Sequence, residues 1–172
     1  MLLTTTQATG SSKLDKSILT GSCTLVPLNF YRQDKAREIL SEVVLLGDNE
    51  QVLSVEVPEY GAVMLYAAGD PRESRLPELY YVVKALSECR EYNKIVASHK
   101  GGRLYLAIAQ GRSLQLANSF EAPDFTTAQY YIFMALRSLQ LNPEVSSICF
   151  TSPLKAEDEM SLYRYFKSVE VL

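Results

Sequence analysis

The sequence predicts a mixed α/β fold, and two observations predict it. Between residues 93 and 120 three apolar runs are joined by turns so short that neighbouring strands must run antiparallel. Beyond residue 125 the apolar period switches from strand-like to helix-like and back, twice. Together they give the order βββαβαβ for the C-terminal half. The chain has 172 residues, 47% of them apolar and 22% charged, a globular balance that supports a core of this size.

Each element has its own signal. Residues 1–22 are rich in Thr, Ser and Gly, and their lysines follow the few apolar residues, the reverse of a signal peptide. This stretch reads as a loose arm. Cys23 to Pro27 is a short extended piece. A helix follows, with Asp34 as N-cap, the stripe Ala36, Ile39, Leu40 and Val43, and Gly47 as its stop. Residues 52–57 alternate, with Leu53, Val55 and Val57 on one face of a half-buried strand. Pro58 and Gly61 mark a turn, and Ala62 to Ala68 is apolar on both faces, as a central strand is. After the polar loop Gly69 to Ser74, Pro77 opens a helix with the stripe Leu79, Val82, Val83 and Leu86, ending near Tyr92. Residues 23–92 therefore read as a partial first lobe of helix, two strands and helix, and 93–172 as a second lobe.

In that second lobe Ile95 to Ser98 is a strand, Lys100-Gly101-Gly102 a tight turn, and Leu104 to Ala109 the return strand. Gln110-Gly111-Arg112 turns into a third strand, Leu114 to Phe120. Thr126 or Thr127 caps a helix with the stripe Ala128, Tyr131, Ile132, Ala135 and Leu139, stopped by Asn142-Pro143. Val145 to Thr151 is a strand, Glu157 to Lys167 an amphipathic helix bearing Met160, Tyr163 and Phe166, and Val169 to Leu172 a last strand. Right-handed helical crossovers place the later strands parallel beside the first strand of the meander. That is the ribonuclease H-like arrangement.

Composition narrows the chemistry. A net charge of −3 gives no support for broad nucleic-acid binding, and Lys94, Lys100, Arg103 and Arg112 read as a solvated face. Cys23, Cys89 and Cys149 are odd in number, widely spaced and without a Cys-x-x-Cys pair, which argues against disulfides and zinc and for a reducing, cytoplasmic setting. Cys149, between Ile148 and Phe150, reads as a small buried hydrophobe. No run approaches the ~18 apolar residues of a membrane helix. His99 reads as an exposed turn residue without companion metal ligands. Ser98 beside it points to the opposite face of the strand, so the two cannot act together. A nuclease would need a carboxylate in the first strand of the meander; the nearest, Glu121, Asp124, Glu157 and Asp158, lie elsewhere. Asp124 suits a helix cap or loop, and Glu157 and Asp158 suit the start of the last helix. Eleven tyrosines without tryptophan include Tyr80-Tyr81 and Tyr130-Tyr131 on helices. One of each pair faces the core and the other can face outward, where tyrosine favours binding surfaces.

Val96 to Leu106 resembles the second phosphate hairpin of actin-like ATPases. The wider pattern resembles a family of uncharacterised bacterial proteins with an actin-like ATPase fold. Its features here are Thr24-Leu25-Val26-Pro27, Asn118-Ser119-Phe120, Tyr130-Tyr131-Ile132, and Tyr165-Phe166 with Val169. The resemblance spans residues 23–172 and implies longer relatives with a fuller first lobe. It also implies that the nucleotide groups are degenerate. Ser98 falls where the metal-side Asp belongs and Tyr105 where the return-strand carboxylate belongs, and neither carries the charge that offsets a divalent ion. Only Gly101 and Gly102 persist, and as a pair they need mean no more than a turn. On the adenosine side, Thr151-Ser152-Pro153 replaces a Gly-Gly turn, and Pro153 has no amide N–H. The expectation is a non-catalytic module with no cofactor and no metal, acting through contacts with a protein partner or a second copy of itself. The alternative is a divergent nucleotide-binding protein or ATPase using Ser98, Lys100, Gly101, Gly102 and Arg103.

Overall fold

The computed structural model describes residues 16–172. In chain order its elements are β1 (Ser17–Ile18), β2 (Cys23–Pro27), α1 (Ala36–Ser41), β3 (Gln51–Val57), β4 (Ala62–Ala68), β5 (Leu76–Pro77) and α2 (Glu78–Glu88). Then follow β6 (Asn93–Lys100), β7 (Arg103–Gln110), β8 (Ser113–Glu121), α3 (Phe125–Ser138), β9 (Ser147–Phe150), α4 (Ala156–Tyr163) and β10 (Ser168–Val171).

The main sheet has five strands in the order β10-β9-β6-β7-β8. β6, β7 and β8 form the antiparallel meander, β9 lies parallel to β6, and β10 parallel to β9. This is the arrangement that the connection lengths predict. β6 and β7 are apolar on both faces because both faces are covered. Ile95, Ala97, Leu104, Leu106 and Ile108 point to one side, where Ala128, Ile132 and Leu136 of α3 and Leu162 of α4 close the largest core. Val96, Tyr105, Ala107 and Ala109 point to the other, against Leu79, Val82, Val83 and Leu86 of α2.

The second core also takes in Met64 and Tyr66 of β4, the middle strand of a three-stranded antiparallel sheet ordered β2-β4-β3. All of β4 is buried. Its alternate residues Val63, Leu65 and Ala67 pack with Leu40 of α1 on the far side. β1 pairs in parallel with β5. Among the described residues no helix is long and apolar enough to cross a membrane.

Several expected boundaries move. The loose arm expected over 1–22 lies outside the described residues up to residue 15, but Ser17 and Ile18 within it are a paired strand. Asp34 does not cap α1: its carboxylate takes Arg32 at 3.2 Å, and a 3₁₀ turn, Gln33–Lys35, leads into the helix. α1 stops at Ser41, well before Gly47, because only Leu40 is buried and Val43 is left 62% exposed. α2 ends at Glu88, short of Tyr92. Asp124, rather than Thr126 or Thr127, caps α3, its Oδ1 accepting from Thr127 N–H at 2.7 Å. α3 ends before Asn142-Pro143, where Gln140 enters the left-handed region (φ 56°) and Leu141 N–H returns to Leu136 O at 2.9 Å. α4 covers Ala156–Tyr163 instead of residues 157–167.

Candidate functional site

The turn between β6 and β7 holds the residues that the sequence singles out. Lys100 pairs with Arg103 across it, and Gly101 (φ 57°) and Gly102 (φ 69°) fill its two positions. Both φ values are positive, as a type I′ hairpin turn requires, and only glycine meets that without strain. Strand alternation then sends Ser98 and Lys100 to the α2 side and His99 to the α3 side.

On the α2 side stands a residue that the sequence reading missed. Glu78, the first residue of α2, is 3% exposed and faces the turn. Ser98 Oγ donates to its Oε1 at 2.7 Å, Lys100 Nζ lies 3.2 Å from the same oxygen, and Ser17 Oγ donates to Oε2. Burial pushes the Glu78 carboxyl up, but the hydroxyls of Ser17 and Ser98 and the Lys100 ammonium outweigh it and hold the group below its usual range. In sequence, an acid just after Pro77 reads only as a complement to the helix dipole. Its burial is set by partners 20 and 61 residues away.

The segment leading from β1 into β2 crosses the turn as a strap. A Cβ added to Gly101 would meet Leu19 Cδ1 at 2.8 Å, and one added to Gly21 would meet Arg103 Nη1 at 2.5 Å. Leu19 therefore rests on the turn, and Gly21 lets the backbone lie against the Arg103 guanidinium. The strap is tied at its far end by Ala67 N–H donating to Ser22 O at 2.9 Å. Arg103 is held from below by Ser119 Oγ at 3.2 Å and Glu121 at 3.5 Å.

Tyr105 sits opposite Ser98 in the β6–β7 register. It is fully buried, and its hydroxyl meets no hydrogen-bond partner among the described residues. Burial pushes the phenol up, with Arg103 pulling the other way. Cys23, under the same strap, is pushed up to about 12 by burial, again with Arg103 opposing. A thiol so shifted is a packing group rather than a nucleophile.

This donor set does not fit a nucleotide-bound metal ion. Among the described residues the spot has one carboxylate, which already accepts two hydroxyls and lies beside an ammonium. No group of three or more His, Cys, Asp or Glu able to hold a metal occurs among the described residues. A divalent ion would have to displace Lys100 and would find no second acid beside Glu78 among the described residues.

Ser98, Lys100, Gly101, Gly102 and Arg103 are thus brought together, but their polar groups face Glu78, the strap and Ser119. His99 is not the exposed turn residue expected. Its Nε2 donates to Ala122 O at 2.7 Å, and its ring packs edge-on to Phe125 at 5.8 Å. On the adenosine side, Ser152 is 1% exposed and its Oγ accepts from His99 N–H at 2.9 Å. Ser152 therefore serves the sheet rather than a cleft.

The sheet order, the parallel crossovers and the glycine turn define a ribonuclease H-like fold of the actin-like ATPase type. The chain belongs to a family of proteins of unknown function, DUF3822, whose family model matches residues 79–169. In structure it is similar to a protein of Bacteroides thetaiotaomicron VPI-5482, described as having an actin-like ATPase fold and unknown function, solved at 1.85 Å. The TM-score is 0.74 at 18% identity, over 91% of this chain and 66% of that one. The chain thus spans just under two thirds of that protein's length. No curated protein matches the sequence.

Proposed function

We infer that the protein is a non-catalytic module of the actin-like fold that works through protein contacts in a bacterial cytoplasm. The observation that carries this reading is the state of the 98–103 turn. The chain's own strap lies against one side of it, and the single carboxylate behind it among the described residues is committed to Ser17, Ser98 and Lys100. Phosphoryl chemistry depends on charge presented to the phosphates and their metal, and here the Glu78 carboxylate and the Lys100 ammonium are turned toward each other. Residues 23–92 serve as a partial first lobe and 93–172 as the ribonuclease H-like lobe, joined by the core in which β4 and α2 pack with Val96, Tyr105 and Ala107 of β6 and β7. Calorimetric titration of the full chain with ATP and magnesium tests the reading. The expected result is no saturable heat. Magnesium-dependent binding that Lys100→Ala or Arg103→Ala removes would overturn it in favour of a divergent nucleotide site.

A further inference from the structure

β8 is an outer strand of the main sheet, and no described residue pairs with its outward edge. One bond fixes which backbone groups face out. Ala122 N–H donates to Gly102 O at 2.9 Å, so 102 and 122 form a hydrogen-bonded pair. Alternation along an antiparallel ladder then turns the N–H and C=O of Ala117, Ser119 and Glu121 outward. In keeping with this, Ser119 N–H is met by the side chain of its own neighbour, Asn118 Oδ1, at 2.8 Å. The edge has neither lysine nor proline; one bulge at Gln115 interrupts it, and the regular run from Leu116 to Glu121 is a template for another strand.

An aromatic row runs outward beside that edge. Phe120 of β8 stacks on Tyr131 of α3 at 4.7 Å, Tyr131 meets Tyr130 at 5.5 Å, and Tyr130 is 61% exposed. Exposed tyrosine next to an open strand edge is contact surface at low entropic cost.

Charge decides what the edge accepts. Arg112, just before β8, and Glu121, its last residue, are both exposed, and Glu121, which also meets Arg103 at 3.5 Å, keeps 88% of its side chain open to a second cation. If two copies pair antiparallel about Ala117, each Arg112 comes beside Glu121 of the second copy, whereas parallel pairing would set like charges together. The other long edge, β3, lacks this complementarity. Glu50 directly precedes it and Glu56 is its last residue but one, so antiparallel self-pairing would bring acids together. β10 offers only four residues.

We propose that β8 is the seam of a homodimer, in which two copies join their β8 strands antiparallel about a two-fold axis through Ala117 and extend the sheet across the interface. The proposal rests on the reading of the protein as a contact module and names its partner as a second copy. Sedimentation equilibrium of the full chain from about 1 to about 200 μM tests it. The expected result is a monomer–dimer equilibrium that Arg112→Glu weakens about tenfold, because exposed ion pairs at both ends become like-charge contacts. Combining Arg112→Glu with Glu121→Arg restores the affinity to within about threefold of the starting protein. Circular dichroism confirms that these surface variants fold. A monomer throughout, a dimer indifferent to Arg112→Glu, or a double variant that fails to recover would each overturn the seam. None of these depends on the ATP titration, so a nucleotide-binding result would refute the contact-module reading separately.

Discussion

Replacing Glu78 with Gln isolates the charge at the centre of the site while keeping the side chain's shape and one acceptor oxygen. Hydrogen bonds to a charged group contribute ~1.5–3 kcal/mol each. The Lys100 side chain is 35% exposed, so its share is discounted for solvent screening. Glutamine also keeps part of the hydroxyl contacts, so the net loss near neutral pH comes to ~2 kcal/mol. For a chain of 172 residues that lowers Tm by ~4–8 °C. The pH dependence gives a sharper test. Glu78 is held below its ordinary value in the folded protein, so the unfolded chain takes up this proton first as pH falls. The stabilisation is complete above the ordinary glutamate range and disappears as pH drops through the folded value. Thermal unfolding followed by circular dichroism between about pH 7 and about pH 3 should show the two proteins converging toward acid. Glu59, Glu73 and Asp124 are also held low but are present in both proteins, so they cancel in the difference. Equal stability at neutral pH, or a gap that does not change with pH, would refute the argument that Ser17, Ser98 and Lys100 stabilise an ionised Glu78.

The turn supplies a matched pair. At Gly102 the nearest atom to an added Cβ is Pro123 Cα at 3.8 Å, so Gly102→Ala should cost only the left-handed backbone penalty, ~1–2 kcal/mol by urea unfolding. Gly101→Ala carries the same penalty and also pushes on Leu19, so it alone should speed limited proteolysis in the 16–22 segment; identical behaviour would mean that Leu19 does not rest on the turn.

What the sequence made legible follows how local each cause is. The meander could be read because Gly101-Gly102 needs a two-residue turn and the flanking residues alternate, both short-range facts. The parallel placement of β9 and β10 followed because connection length and crossover handedness leave few choices. α1 was overextended because an apolar stripe through Val43 shows amphipathicity but not what covers it, and an isolated turn of helix gains little without burial. The cap of α3 moved from Thr126 or Thr127 to Asp124, since all can serve and only the backbone geometry selects one. Ser98 and Tyr105 carry no charge, but the site is not without an acid. Glu78 enters from another element, and nothing within its own helix signals that it turns inward.

A residual tension beside Glu78 lies at Tyr105. Ser98 needs an acceptor and finds Glu78; Glu78, buried, needs positive charge and finds Lys100; the strap adds Ser17. The phenol opposite Ser98 has no such closure, for its oxygen is fully buried and meets no partner among the described residues. Leaving a hydroxyl unmet costs ~1–3 kcal/mol, whereas removing it and keeping the ring costs almost nothing in packing. Tyr105→Phe should therefore hold or raise the stability by ~1 kcal/mol, a Tm increase of ~2–4 °C in the same melts. It is the rare buried deletion of a polar atom for which a gain is expected. A clear loss of stability would mean that the phenol does have a partner, and the self-contained network drawn around Glu78 would have to be extended to include it.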